Sequence, residues 1–254
     1  MDSLKSSNLK ALNTTDLSAT RTTNSLEFNN TTLEVPGWIT SKFKPKSSDV
    51  LFPTYSNCTW ILTGKQIRID QQIRWQVNNI SYKFPQKKTI LAHASQNTLA
   101  TLPIETQPYV VGAGDVVDII LQNFQSLNGV CEAHPWHLHG HSFYVLGYGP
   151  GKYTIDSNAQ NSSVWFDHPI RRDTVALYPF SLLLNTEEKG YCGWTKLRVV
   201  FDNVGAWPFH WYFIVNQSHI VSHFAMGMGI VVVVGKEKLK DVFVGPDLVG
   251  NSAE

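Results

Sequence analysis

The chain has 254 residues, 43% hydrophobic, 12% aromatic and 16% charged, which supplies a core and excludes full disorder. Lys and Arg number 21 against 20 Asp and Glu, a formal net charge of +1, so the chain lacks the broad positive field that nucleic acid recruits. Three cysteines exclude a disulfide-stapled mini-domain, and their odd number leaves at least one thiol free or paired outside the chain.

The first twenty residues contain no apolar stretch of the kind a signal peptide needs. Ser, Thr, Asn and Lys dominate up to residue 50, with a turn at Pro36-Gly37. Residues 1–57 therefore read as a poorly defined linker or the remnant of an upstream domain. From Cys58 onward the pattern changes. WILTG, IRIDQQIRWQV and TILAHA are short strand-like runs. Gly112–Asp115 makes a turn before VVDIILQNF, a strongly β segment. HSFYVLGYG enters a turn at Gly149–Gly151, and DTVALYP, TKLRVVFDN, WPFHWYFIV and MGIVVVVG follow as strands. Helical periodicity is confined to the region after Ser222. Many short strands between Gly, Asn and Pro turns predict an all-β sandwich or barrel. The longest apolar run, GIVVVVG, is far shorter than the ~20 residues of a membrane helix. Seven N-x-S/T sequons start at Asn13, Asn29, Asn30, Asn57, Asn79, Asn161 and Asn216; they carry meaning only in a secreted chain.

The nine histidines are unevenly placed. His134, His137, His139 and His141 fall in HPWHLHGH. His210, His219 and His223 fall in HWYFIVNQSHIVSH. In an extended HLHGH, residues two apart share a face, so His137, His139 and His141 would point one way. Three imidazoles on one face favour a metal, with Cu, Zn, Ni and Fe all chemically suited. The paired cysteines of a structural zinc module and an H-E-x-x-H helix are both missing. His134 precedes a proline and is biased to extended backbone, so it can serve a different centre. His93 and His168 read as surface or hydrogen-bonded histidines, and Trp136, Trp207 and Met226 as packing residues.

HPWHLHGHSFYVLGYGPGKY, GWTKLRVVFDNVGAWPFH and HIVSHFAMGMGIVV together resemble the C-terminal plastocyanin-like (cupredoxin) domain of plant multicopper oxidases. The MGMG ending places the resemblance on the ascorbate oxidase side rather than with the laccases. The resemblance implies a cupredoxin-like Greek-key β-sandwich or barrel over residues 58–245, and copper as cofactor. It implies His134, His223 and Met228 as type 1 copper ligands, His137 as a type 2 ligand, and His139, His210 and His219 as type 3 ligands. His141 holds a position that is not a direct ligand in the family. The implied chemistry is oxidation of a small reductant, ascorbate or a phenol, coupled to reduction of O2 to water in a secreted, apoplastic glycoprotein.

The chain departs from that pattern. The family's HCHIxxH reads here HWYFIVNQSHIVSH: Trp211 stands at the type 1 cysteine, and removing Trp211–Ser218 in favour of one cysteine restores the motif. A retained intron or misplaced splice boundary would account for it. SLLLNTEEKGYC before GWTKLRV also reads as an insertion, so Cys192 is not expected to replace the lost ligand, and Cys131 is expected to be a buried structural thiol. The family's first domain supplies two further H-x-H pairs that this sequence lacks. The expectation is a fragment of a copper oxidase, inactive alone, that needs other cupredoxin domains to complete its trinuclear site. Two alternatives stand beside it: a non-catalytic cupredoxin-like cell-wall or structural protein, and a laccase-type oxidase.

Overall fold

The computed structural model describes residues 24–28, 31–35, 45, 52–154, 164–179, 190–211 and 226–241. The chain divides into two compact units, Met1–Lys42 and Phe43–Glu254. In the first unit β1 (Asn24–Phe28) and β2 (Thr31–Val35) form an antiparallel hairpin.

The second unit is built on two sheets. Its strands are β3 (Cys58–Ile69), β4 (Gln72–Val77), β5 (Tyr109–Val111), β6 (Val116–Phe124), β7 (His134–Leu138), β8 (Phe143–Pro150), β9 (Val164–Trp165), β10 (Arg171–Arg172), β11 (Thr174–Leu177), β12 (Tyr191–Val200), β13 (Gly205–Trp211) and β14 (Gly229–Val234). One sheet has the order β10-β8-β12-β6-β3-β4, with β9 on β8; the other runs β11-β7-β13-β14-β5. Strands β5 to β8 alternate between the two sheets, as Greek-key connections do. The inner faces share one core. Leu62, Trp75, Val117, Ile119, Leu121, Phe143, Val145, Leu197 and Val199 of the first sheet pack against Trp136, Leu138, Val175, Leu177, Phe209, Trp211, Ile230, Val232 and Val234 of the second. This is the all-β sandwich that the strand pattern predicts.

Strand β14 is apolar at every position but its first because both its faces are covered. Ile230, Val232 and Val234 point into the core, while Val231 and Val233 meet a second cluster with Ile90, Ala94 and Leu239. That second cluster corrects one expectation. TILAHA is not a strand: Ile90–Ser95 is a helix, α1. Thr89 caps it, its Oγ1 accepting from the Ala92 N–H at 3.1 Å. The apolar residues Ile90 and Ala94, four apart, face the sheet. IRIDQQIRWQV likewise splits into a hairpin. Asp70 and Gln71 sit at φ 49° and 64°, a two-residue primed turn without the glycine that usually signals one. After Met226 the chain gives β14 and a 3-10 helix, Lys236–Asp241, rather than an α-helix.

Two features tie the first sheet together. Asp118 on β6 is buried opposite Arg198 on β12. Arg198 Nε and Nη2 donate to its two oxygens at 2.6 and 3.0 Å, and Lys196 Nζ lies 3.1 Å away. The register of β12 on β6 slips at Cys192, and that residue is bonded to Cys131. Cys131 is therefore no free thiol. The disulfide spans 61 residues, a loop whose closure contributes about 4 kcal/mol in the chain-entropy picture. Cys58 is free and exposed.

Burial alone would raise the Asp118 carboxyl; the hydrogen bonds from Arg198 and the charge and hydrogen bond of Lys196 outweigh it and hold it below the ordinary carboxylate range. A folded-state value below the unfolded one stabilises at neutral pH, and that contribution is lost as pH falls through the folded value. Asp118→Asn, which leaves two partly buried cations uncompensated, is expected to cost about 3 kcal/mol. Urea melts at pH 7 and at pH 3 check it: the gap between wild type and variant should narrow at the lower pH.

Candidate metal centre

The site is organised by β7 and its neighbour β13. The two are antiparallel, with His137 opposite His210 and Trp136 opposite Trp211. Side chains alternate along each strand and directly opposed residues share a face. On β7 the alternation is sharp: His134, Trp136 and Leu138 are buried, while Pro135 and His137 are partly exposed. The chain thus puts His134 toward the core and His137 on the other side, so one strand serves two environments.

On the side away from the core, three imidazoles gather. The His139 and His210 Nε2 atoms are 3.0 Å apart. The His137 ring centroid is 4.7 Å from that of His139 and 6.3 Å from that of His210. Backbone carbonyls fix two of the rings. His137 Nδ1 lies 3.0 Å from the Asp173 carbonyl and His210 Nδ1 lies 3.1 Å from that of Trp211. In a neutral ring such a contact places the proton on Nδ1 and leaves the Nε2 lone pair free, as in metal-ligating histidines, and for His210 that nitrogen faces His139. Burial, reinforced by the neighbouring His137, holds the His139 imidazole below its ordinary value. Burial also lowers His210, although its bond to the Trp211 carbonyl opposes the shift. Both effects favour the neutral, ligating form.

His141 departs from the expected i, i+2, i+4 alignment. Strand β7 ends at Leu138, and Gly140 turns the chain at φ +69°. A Cβ there would come within 2.4 Å of the Trp207 ring, so glycine is required. His141 then lies against Phe201 and Trp207. Its Nδ1 is 3.3 Å from the His139 carbonyl and its Nε2 accepts from the Asn203 N–H at 3.3 Å. With both nitrogens engaged, His141 braces the turn and has no lone pair left for an ion.

The core side differs. His134 is fully buried, neither ring nitrogen has a hydrogen-bond partner among the described residues, and burial pushes its imidazole down to about 4. Its ring packs edge-on against Trp75 at 4.9 Å and Trp211 at 5.5 Å. Trp211 in turn donates its backbone N–H to the Met228 carbonyl at 3.3 Å. Met228 is fully buried, its Cε against Gly64. His219 and His223 lie outside the described residues.

Copper suits these two groups unequally. At metal–nitrogen distances of about 2.0 Å, two ligands of one ion stand about 2.8 to 3.3 Å apart, the range into which the His139–His210 separation falls. Imidazole nitrogens of this kind suit copper. On the core side His134 offers an unsatisfied imidazole, but a blue-copper set also needs a thiolate. Trp211, packed against His134, brings an indole and no sulfur. Cys131 and Cys192 are bonded to each other. Cys58 begins β3, six residues and about 20 Å of extended strand from Gly64 and its Met228 contact. The residues present do not make a type 1 centre. Among the described residues, no three His, Cys, Asp or Glu side chains are placed to hold one ion.

The multicopper oxidase family profile matches residues 53–238. L-ascorbate oxidase of Cucurbita maxima is 35% identical over 211 residues, covering 74% of this chain and 33% of that protein. L-ascorbate oxidase of Brassica rapa subsp. pekinensis is 44% identical over 129 residues, covering 50% of this chain and 19% of that protein. The crystal structure of Fet3p, described as a multicopper oxidase that functions in iron import, superimposes with a TM-score of 0.57 at 21% identity, covering 87% of this chain and 39% of that one. The chain spans about a third of the length of the first of these relatives.

His141→Ala separates bracing from ligation. It removes two hydrogen bonds and a buried ring, an expected loss of about 2–3 kcal/mol. Cu(II) affinity measured on the folded variant should match that of the wild type, whereas His210→Ala should weaken it at least tenfold.

Proposed function

The chain belongs to the multicopper oxidase family, and from that premise we propose that residues 58–245 are the C-terminal plastocyanin-like domain of a copper-dependent oxidase of the ascorbate oxidase kind. The observation that carries this reading is the convergence of His137, His139 and His210 on one side of the β7–β13 pair, with His134 on the other. Copper, when bound, supplies one-electron chemistry that couples oxidation of a small reductant such as ascorbate or a phenol to reduction of O2 to water. This chain's part is to hold ligands. His137 serves the type 2 position, and His139 and His210 the type 3 pair, with His219 as a further type 3 ligand. His134, His223 and Met228 are the remains of a type 1 set.

Two deficits follow from the residues present. Without a thiolate beside His134, electrons have no entry through a type 1 centre. Beyond the HLHGH segment the sequence holds no further His-x-His pair, so the other trinuclear ligands must come from another cupredoxin domain. The Cys131–Cys192 disulfide supports a secreted, apoplastic location, since such bonds persist in oxidising compartments. Among the described residues no helix is long and apolar enough to cross a membrane. A second reading, a non-catalytic cupredoxin-like protein, has one observation in its favour: the Trp211 indole packed where the thiolate would be.

Two measurements test the proposal. The copper-loaded full chain should consume O2 with ascorbate no faster than free copper does; turnover above that control would contradict the claim that it is inactive alone. Replacing Trp211–Ser218 by a single cysteine should give the copper-loaded protein an intense blue thiolate-to-copper absorption. A variant that melts cooperatively, binds copper and stays colourless would favour the non-catalytic reading.

A further inference from the structure

We propose that Asn79 carries an N-linked oligosaccharide. The sequon Asn79-Ile80-Ser81 closes β4 in a tight turn. Val77 and Ile80 exchange backbone hydrogen bonds at 2.8 and 3.0 Å, and Asn78 and Asn79 occupy left-handed backbone at φ 51° and 68°. Asparagine tolerates that region better than most residues, so both positions have a conformational reason to be asparagine. Their side chains do different things. Asn78 is fully engaged: its Nδ2 donates to the Ile61 carbonyl at 2.8 Å and to the Tyr109 hydroxyl at 3.2 Å, and its Oδ1 accepts from the Thr63 N–H at 2.9 Å. These bonds hold the turn to β3 and β5. Asn79 is exposed, and the structure gives its carboxamide no hydrogen bond among the described residues. It projects from a turn that its neighbour fixes.

Asn57, the other sequon asparagine among the described residues, is placed differently. Its Oδ1 accepts from the Val116 N–H at 2.7 Å and its own N–H donates to the Val116 carbonyl at 2.6 Å. Its carboxamide oxygen is occupied in joining the start of β3 to β6. The sequons at Asn13, Asn29, Asn30, Asn161 and Asn216 lie outside the described residues.

The ligand class is an oligosaccharide carried on a lipid diphosphate. Asn79 Nδ2 displaces the diphosphate from the anomeric carbon: the N–C bond forms, the C–O bond to the diphosphate breaks, and one amide proton leaves with the lipid diphosphate. The modification rests on the secretory location proposed above, which the disulfide supports independently of copper.

The full chain is directed into the secretory pathway of a eukaryotic cell behind a cleavable leader. Glycopeptides are mapped after enzymatic release, which converts a glycan-bearing asparagine to aspartate. Mapping is done on the membrane-enclosed fraction as well as the medium, so it reads out whether or not the protein is exported. The expected result is conversion at Asn79, and loss of one oligosaccharide from the mass ladder in both Asn79→Asp and Ser81→Ala. The first variant keeps the left-handed preference of the site, and unchanged melting shows that each variant folds. Asn79 recovered unmodified, in chains whose Cys131–Cys192 bond has formed, would overturn the proposal. Copper binding measured on the same material after glycan release reports separately on the oxidase reading.

Discussion

The pairing of β7 with β13 is the constraint from which the rest of the site follows. Its register sets His137 across from His210 and Trp136 across from Trp211, and strand alternation does the remainder. One residue of slip in either strand would carry imidazoles into the core and indoles out of it. The register is held from both sides. Trp136, Leu138 and Phe209 are locked into the sandwich core, and β11 and β14 flank the pair. The placement of the histidine cluster therefore rests on hydrophobic packing on the opposite face, to which the 3.0 Å contact between His139 and His210 adds.

The same alternation explains why the two halves of the site differ in fitness. On the outer face only imidazoles are required, and the strands deliver them with Nδ1 anchored to the carbonyls of Asp173 and Trp211. On the buried face a type 1 set would need a sulfur, and the Trp211 indole beside His134 supplies none. The indole is nevertheless well accommodated, with Trp75 and His134 packed around it. A large apolar residue in a buried aromatic pocket can sustain the fold while removing the soft ligand, so stability and copper chemistry are separable at this position.

Much of this was legible in the residues. Alternating apolar runs identified most strands and the sandwich, because half-buried strands advertise their period directly. The spacing in HPWHLHGH anticipated that His134 and His137 serve different surroundings. What failed has local causes. TILAHA is apolar enough for a strand, but a threonine cap and an Ile90–Ala94 face toward the outer side of β14 made it a helix. The Asp70–Gln71 turn lacks the glycine by which such turns are recognised. The Cys131–Cys192 bond joins residues 61 apart, and no spacing rule reveals it. His141 looked aligned with its neighbours, yet Gly140, made necessary by the Trp207 ring, rotates it away.

The central claim is that this chain offers copper imidazole nitrogens on one face of the β7–β13 pair and no thiolate on the other. X-ray absorption at the copper edge of the copper-loaded full chain tests it most directly. The expected spectrum has a shell of nitrogen and oxygen scatterers with the multiple-scattering signature of imidazole. A short copper–thiolate path in the unaltered chain would contradict it.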